Sequence, residues 1–375
     1  MGPDSGLEGV VAATTRLSHV DGERGELLIG GFPLAELAAN ATFEETTWLL
    51  WNGRLPTSPE LDGFRTALAA RRVLPAPTVA LLRECARTAV GPMDALRMAA
   101  GTVSLDSDDA TSIVAKMPTI VAAYWRLRAG REPIVPRGDL SHAANYLYML
   151  DGATADEERT RALETYLNTV VDHGLNASTF TCRVITSTGS DLVSAIVGAL
   201  GALKGPLHGG APGPALEMVF EIGEASRAEG VLRHKIEAGD RVMGFGHRVY
   251  KVRDPRADVL AAAAERLFTR GGDMALYRLA RDVEAAALRL LEEYKPGRRL
   301  QTNVEFYTAL LLHGLELDVG LFTPTFAIGR VSGWIGHALE QRAANRLIRP
   351  SSEYVGPRDR TWVPLAERTR ADSAA

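Results

Sequence analysis

Two histidines and one glutamate lie in short segments that leave room for a ligand. His208 lies among glycines, His247 lies in a basic segment, and Glu305 belongs to an Asn-Val-Glu-Phe-Tyr sequence. A neutral imidazole N–H can donate to an oxygen on which negative charge develops, and a carboxylate can remove a proton. Together these residue types indicate acid–base chemistry.

The glycines next to His208 carry no side chains, so the sequence predicts that a ligand can approach the backbone there. Pro212 and Pro214 suit the first turn of a helix that continues through Leu216 and Phe220. The positive end of that helix dipole is expected to hold the imidazole neutral. A loop histidine with ordinary hydrogen bonds is the alternative interpretation, and this segment alone leaves both open.

The second segment, Gly244–Arg256, carries five basic side chains within ten positions, and this density predicts an anionic ligand. A solvated basic loop is the alternative, but Asp254-Pro255 stiffens the backbone that positions Arg256. The Gly244-x-Gly246 start lacks the third glycine of a dinucleotide loop. The five basic residues are His247, Arg248, Lys251, Arg253 and Arg256.

Glu305 has a structural and a catalytic interpretation. The spacing Thr302-x-x-Glu305 is typical of a capping box, with a helix beginning at Asn303. The same helix dipole would keep the carboxyl ionised at neutral pH, as a general base requires. Spacing alone does not choose between these roles, and both can coexist.

Other chemistries lack their motifs. The eight histidines show no HExxH or other ligand spacing, so no metal site is expected. No GxxxxGK[ST] or GxSxG sequence is present. His337 follows Trp334 and Ile335 in a helical apolar pattern, which favours a packed histidine.

Composition narrows the class of protein. A net charge of -4 over 375 residues disfavours a nucleic-acid partner. Cys85 and Cys182 are too few for a disulfide framework, so a reducing cytoplasm is expected. Residues 1–10 lack the apolar core of a secretion signal. The uncharged apolar run between Asp191 and Lys204 is too short to span a membrane.

Helical periodicity dominates the elements that must position these residues. Thr42 and Glu45 form a capping box before a helix that Asn52-Gly53 ends. Strand signals are sparse, the best being residues 9–18 and 26–29 around a turn at Asp21-Gly22. The prediction is therefore an all-α fold with at most one short N-terminal β-hairpin. Two core helices are predicted from the apolar stripes Leu163, Tyr166, Leu167, Val170, Val171 and Val283, Ala286, Ala287, Leu290, Leu291.

A chain of this length is expected to form two domains. Gly205–Pro214 and Gly320–Thr325 interrupt the helical pattern. These breaks predict a large helical domain formed by 1–210 and 321–375, with a smaller helical domain inserted at 211–320. The polar residues from about Ala366 are expected to be frayed.

The segment Gly244–Arg256, which ends in Asp-Pro-Arg, closely resembles the signature of the citrate synthase family. The resemblance extends over nearly the whole chain, including residues 6–12, 172–179 and 348–350. It implies a mainly α-helical homodimer whose small domain closes over the substrates. The implied activity is an acyltransferase reaction that condenses acetyl-CoA with oxaloacetate and then hydrolyses the thioester, with no cofactor besides this acyl-CoA substrate.

The resemblance also implies individual roles. His208 would bind the thioester oxygen, His247 would polarise and protonate the ketone, and Glu305 would be the base. The oxaloacetate carboxylates would be held by His173, Arg256, Arg330 and, from the partner subunit, Arg349. CoA would be bound around Lys251, Arg248, Gly244 and Gly246.

The chain departs from the family pattern at Glu305, where the family usually has aspartate. The added methylene moves the carboxylate oxygens by more than ~1 Å unless the backbone compensates, and such a displacement can cost ~10²-fold in rate. The alternative functions are a 2-methylcitrate synthase that uses propionyl-CoA, and a non-catalytic protein that binds oxaloacetate or CoA.

Overall fold

The computed structural model describes residues 6–7, 9–105, 109–209 and 212–368. These residues form α-helices and one small antiparallel sheet, so the predicted all-α fold is confirmed. The helices are α1 (Leu34–Asn40), α2 (Phe43–Asn52), α3 (Ser58–Ala69), α4 (Ala76–Arg87), α5 (Pro92–Gly101), α6 (Ala110–Arg128), α7 (His142–Asp151), α8 (Glu157–Val170), α9 (Ala177–Ser187), α10 (Leu192–Leu203), α11 (Pro212–Ile222), α12 (Ala225–Glu237), α13 (Pro255–Gly271), α14 (Met274–Tyr294), α15 (Val304–Gly314) and α16 (Phe322–Ala343).

The N-terminal sheet contains β1 (Ser18–Asp21), β2 (Glu26–Ile29) and β3 (Phe32–Pro33), in that spatial order. The predicted hairpin exists, but its expected first strand at 9–18 is wrong, because β1 begins where that range ends. Leu27 and Ile29 are buried in the core and anchor β2, whereas Val10 and Val11 are exposed. Strand β1 therefore forms at the residues that pair with β2, because the buried side chains of β2 fix its position.

The predicted helix from Thr42 is confirmed in detail. The Thr42 hydroxyl accepts from the Glu45 backbone N–H at 3.3 Å, and the Glu45 carboxylate accepts from the Thr42 N–H at 2.7 Å. Gly53 ends α2 in the left-handed conformation with φ of 74°. The predicted stripes of α8 and α14 also face the core, with every member buried except Ala286, which is partly buried.

Helix α16 runs through the core and packs against α2, α6, α8, α9 and α10. Two of its glycines permit a close approach to the end of α8. A Cβ on Gly333 would lie 2.2 Å from the Val171 carbonyl oxygen, and one on Gly329 would lie 2.9 Å from that of Leu167. Glycine at these positions lets α16 place Arg330 beside the segment that follows α8.

The two predicted breaks differ in outcome. The first lies between α10 and α11 as expected, although Gly210 and Ala211 are outside the described residues. The second was placed too late, because α16 begins at Phe322 and contains Thr325. Proline fits a first helical turn, and the Thr325 hydroxyl is hydrogen-bonded to Tyr146 at 2.9 Å. The division at 210 and 320 stays a prediction.

No helix of the described ranges is long and apolar enough to cross a bilayer. Cys85 and Cys182 are both buried and free.

Candidate active site

A cavity of about 1340 Å³ brings together most of the predicted site residues. They come from three inter-helix segments and from α13, α15 and α16, far apart in the sequence. The predicted residues that line it are His173, His208, Gly244, Gly246, His247, Arg248, Arg256, Glu305 and Arg330.

The segments that carry His247 and Glu305 are joined by backbone hydrogen bonds. The Gly246 N–H donates to the Gln301 carbonyl at 2.7 Å, and the Asn303 N–H donates to the Gly244 carbonyl at 3.0 Å. Gly244 has φ of +86°, and a Cβ there would lie 2.9 Å from that of Phe306. This pairing fixes the loop before α13 against the start of α15.

The predicted capping box before α15 is wrong. The N-cap is Asn303, whose side-chain oxygen accepts from the Glu305 backbone N–H at 3.0 Å. Thr302 instead donates its hydroxyl to the carboxylate of Glu284 at 2.6 Å. The Glu305 side chain is thus released from the helix end and lines the cavity.

Burial raises the pKa of Glu305 to about 7, although nearby Arg256 opposes this shift. Within the described chain, no side chain donates a hydrogen bond to its carboxylate. The expectation that the helix dipole keeps this group fully ionised at neutral pH is therefore wrong, because desolvation outweighs the dipole. A carboxyl with such a pKa is a stronger base, when ionised, than an ordinary glutamate.

His208 is neutral, as expected, but for another reason than the one predicted. Burial, assisted by the charge of Arg330, lowers the pKa of His208 to about 4. Its Nε2 is hydrogen-bonded at 2.8 Å to the Oγ of Ser178, which also accepts from the Trp334 indole N–H at 3.1 Å. Ser178 therefore sets the orientation of this ring.

His247 is neutral as well and has a defined tautomer. Burial and the neighbouring Arg256 charge lower the pKa of His247 to about 4. Its Nδ1 accepts the backbone N–H groups of Val249 and Tyr250, both at 3.1 Å, so the ring proton is on Nε2. Nη2 of Arg256 lies 3.3 Å from that Nε2. The N–H groups of His247 Nε2 and Arg256 Nη2 can therefore both donate to a single ligand oxygen.

Two buried guanidinium groups supply positive charge. Arg256 is held by Asp254, with an Nη2 to Oδ2 distance of 2.8 Å. Arg330 donates from Nε to the Val170 carbonyl at 2.6 Å, and burial lowers the pKa of Arg330 to about 10. Its Nη groups have no carboxylate partner among the described residues. Arg330 thus presents its outer donors to the cavity.

His173 lies on a short turn that is braced from behind. Burial and the charge of Arg256 hold the pKa of His173 well below its usual value. The adjacent Asp172 is fully buried, accepts the Ser18 hydroxyl at 2.5 Å and contacts Nε2 of His337 at 3.2 Å. The packed-histidine interpretation of His337 is therefore confirmed.

The family model described as citrate synthase, C-terminal domain, matches residues 6–351. The chain belongs to the citrate synthase family. It is 41% identical to a citrate synthase of Haloferax volcanii, with 97% of this chain and 98% of that protein covered. A 2-methylcitrate synthase of Mycobacterium tuberculosis is 38% identical, with 95% and 91% covered.

A solved citrate synthase from Thermoplasma acidophilum superimposes with a TM-score of 0.88 at 31% identity, covering 97% of this chain and 98% of that one. That structure is a ternary complex with carboxymethyl coenzyme A and oxaloacetate. Over 97% of its length, this chain therefore follows the citrate synthase fold.

Two residues predicted from the citrate synthase resemblance do not reach the cavity of this chain. Lys251 is exposed and donates from Nζ to the Arg248 carbonyl at 3.2 Å. Arg349 is exposed and follows the end of α16. Their predicted roles stay predictions.

The cavity also contains basic residues that sequence reasoning missed. Arg241, Lys295 and Arg298 line it together with the predicted Arg248. The Lys-Pro-Gly-Arg-Arg turn at 295–299 was a readable signal, because a cluster of basic residues in a loop predicts an anion. Ser178 carried no such signal, since its role depends on a contact with His208.

Proposed function

We infer that this chain condenses acetyl-CoA with oxaloacetate and hydrolyses the resulting thioester to citrate and CoA. The observation that carries this inference is the convergence of Glu305, with its raised pKa, and two neutral imidazoles on one cavity that also contains Arg256 and Arg330. The family membership supports the same reaction.

Enolate formation is the first step. The ionised Glu305 removes a proton from the methyl carbon of acetyl-CoA, while a neutral His208 donates an N–H hydrogen bond to the thioester oxygen. Each effect contributes about 10²–10⁴-fold to the rate. Burial supports this step twice, because it raises the basicity of Glu305 and keeps His208 neutral.

Carbon–carbon bond formation follows. The nucleophilic carbon attacks the ketone of oxaloacetate, and His247 gives its Nε2 proton to the resulting alkoxide. His173, Arg256 and Arg330 hold the two carboxylates, since guanidinium groups pair with carboxylates through two parallel hydrogen bonds. The thioester of the product is then hydrolysed, which releases CoA and drives the reaction forward.

The basic side chains of the cavity provide the CoA site. Arg241, Arg248, Lys295 and Arg298 match the negative charge of CoA phosphates. Gly244 and Gly246 line the same cavity and would contact CoA through their backbone. Lys251 adds positive charge next to this loop, and no metal or other cofactor takes part.

The functional unit is a cytoplasmic homodimer in which Arg349 completes the partner's cavity. The segment after α16 forms no α-helix or strand up to residue 368 and exposes large apolar side chains, which favours contact with another subunit. Its exposed apolar residues are Leu347, Tyr354, Val355, Trp362 and Leu365. Closure of the proposed small domain, 211–320, over the large domain excludes water until condensation is complete.

The direct test is thiol release on mixing the purified chain with oxaloacetate and acetyl-CoA, measured with DTNB, together with mass-spectrometric detection of citrate. Both signals are expected and should depend on oxaloacetate. Tight oxaloacetate binding in calorimetry without thiol release would instead identify a non-catalytic binding protein.

A 2-methylcitrate synthase is the second candidate, favoured by relatives of that name at similar identity. The substrates differ by one methyl group, which is worth only about 1–3 kcal/mol in a pocket. Steady-state kinetics with acetyl-CoA and with propionyl-CoA show which of the two is the preferred substrate. We expect the larger kcat/KM with acetyl-CoA, and a larger value with propionyl-CoA would reverse the assignment.

A further inference from the structure

Tyr250 lies behind the cavity and contacts three residues of the oxaloacetate site. It is 2% exposed and does not line the cavity itself. Its hydroxyl is 3.1 Å from Nε2 of His173, and its backbone N–H donates to Nδ1 of His247 at 3.1 Å. Its ring lies 5.8 Å from the guanidinium carbon of Arg256.

The contact with His173 persists at physiological pH. Burial raises the pKa of the Tyr250 phenol and depresses the pKa of His173, so both groups keep their neutral forms. Between a neutral phenol and a neutral imidazole, either the phenol O–H donates a hydrogen bond to the ring nitrogen or the ring N–H donates to the phenol oxygen. This contact holds the His173 ring in one plane.

The aromatic face adds a second constraint. The Tyr250 ring centroid is 5.6 Å from that of His173 and 4.9 Å from that of His247. The guanidinium of Arg256 lies within the range of a cation–π attraction. One side chain therefore spaces three groups that reach the cavity from two loops and from the first turn of α13.

We propose that Tyr250 is a positioning residue for oxaloacetate, which orients His173 through its hydroxyl and spaces His247 and Arg256 through its ring. The inference rests on the proposed function. Tyr250 acts on the groups that hold the carboxylates of oxaloacetate. Its loss should therefore weaken the binding of the ground state and of the transition state equally. An equal loss in both states raises KM without lowering kcat.

The test is Tyr250→Phe, which removes only the hydroxyl. A hydrogen bond between neutral groups is worth about 0.5–1.5 kcal/mol, so the KM for oxaloacetate should rise about 3- to 10-fold. The kcat should stay within about 2-fold, and the KM for acetyl-CoA should not change. Calorimetric titration with oxaloacetate alone should give the same increase in Kd.

Tyr124→Phe is the matched control. Tyr124 is also 2% exposed and donates its hydroxyl to the Val90 carbonyl, in a part of the fold that does not line the cavity. This variant should leave the oxaloacetate Kd unchanged. Tyr250→Leu, which also removes the ring, should raise the Kd more than Tyr250→Phe does.

An unchanged oxaloacetate Kd in Tyr250→Phe would overturn the inference, as would equal increases in the KM values of both substrates. Calorimetry does not need turnover. A wild-type chain that binds oxaloacetate but makes no citrate would therefore overturn the proposed function alone, while the comparison of Tyr250→Phe with Tyr124→Phe still decides the role of Tyr250.

Discussion

Glu305 shows how burial competes with local helix electrostatics. Its backbone N–H is capped by Asn303 in the first turn of α15, where a negative charge is favoured. The carboxyl is nevertheless partly buried in the cavity, and this burial raises its pKa to about 7. In the proposed mechanism, this balance gives a base that is strong yet still partly ionised at neutral pH.

The pH dependence of turnover should follow the ionisation of the Glu305 carboxyl. The base acts in its ionised form, so kcat/KM for acetyl-CoA should rise with pH and level off above about 7. His208 and His247, with pKa values of about 4, are already neutral in this range. Steady-state kinetics between pH 5.5 and 9 measure the effect.

Glu164→Gln is the control for that profile. Burial also raises the pKa of Glu164 to about 7, but this residue lies on α8 and does not line the cavity. The acidic limb should persist in this variant. Its disappearance would assign the limb to Glu164 and remove the support for Glu305 as the base.

The length of the Glu305 side chain is a separate prediction. Glu305→Asp withdraws the carboxylate by one methylene from a site whose backbone is fixed by Asn303 and Gly244. We expect kcat to fall by ~10²-fold, since proton abstraction depends steeply on the approach distance. KM for oxaloacetate should stay unchanged. A higher kcat for the aspartate variant would mean that the site fits the shorter side chain.

At the scale of elements, the N-terminal hairpin braces the loop that carries His173 and the loop that carries His247. Ser18 of β1 donates to Asp172, which precedes His173, and also accepts the Gly174 N–H at 2.9 Å. The Gly22 carbonyl in the hairpin turn accepts the Lys251 N–H at 2.9 Å. The small sheet thus sets the spacing between the two loops.

Gly22→Ala should disturb this brace. The added Cβ would lie 2.2 Å from the carbonyl oxygen of Val249, so the turn or the loop must move. Overpacking of this kind costs about 1–3 kcal/mol. We expect a lower Tm and a higher KM for oxaloacetate, measured by thermal unfolding and kinetics.

Gly63→Ala is the matched substitution without a clash. Gly63 lies inside α3, and a Cβ there meets nothing within 4 Å. Replacing a helical glycine by alanine should stabilise the protein by about 0.5–1 kcal/mol and leave both KM values unchanged. Equal kinetic behaviour of the two variants would contradict the bracing role of the hairpin.

At the scale of the whole molecule, one residue predicted to bind oxaloacetate lies outside the cavity of its own chain. Arg349 is exposed beyond α16, within a segment that also exposes Tyr354 and Trp362. A dimer in which this segment crosses to the neighbouring subunit would bury these rings and bring the guanidinium to the partner's cavity.

Mixed dimers test that arrangement. Arg349→Ala and Glu305→Gln should each be nearly inactive alone. In a mixed dimer, the cavity of the Arg349→Ala chain keeps Glu305 and receives Arg349 from its partner, so about half of the wild-type activity per dimer should return. Refolding or co-expression of the two chains followed by the thiol-release assay measures this.

The same mixture would remain inactive if Arg349 served its own subunit, because each cavity would then lack one essential group. Glu305→Gln mixed with Tyr124→Phe is the control. It should show the activity of the intact cavity alone, since neither chain of that dimer lacks Arg349.

Local sequence determined the elements whose signals are short-range. The capping box and terminal glycine of α2, and the apolar stripes of α8 and α14, predicted those helices because caps and periodicity act within a few residues. The resemblance of nearly the whole chain to the citrate synthase family also indicated His208, His247 and Glu305 as one site.

Only the tertiary structure decided the properties that depend on distant neighbours. Thr302 bonds to Glu284 rather than to Glu305, the dipole that favours ionised Glu305 is outweighed by burial, and Tyr250 links His173 to His247. Desolvation and side-chain contacts are set by whichever segments the fold packs together, and local sequence signals do not encode that packing.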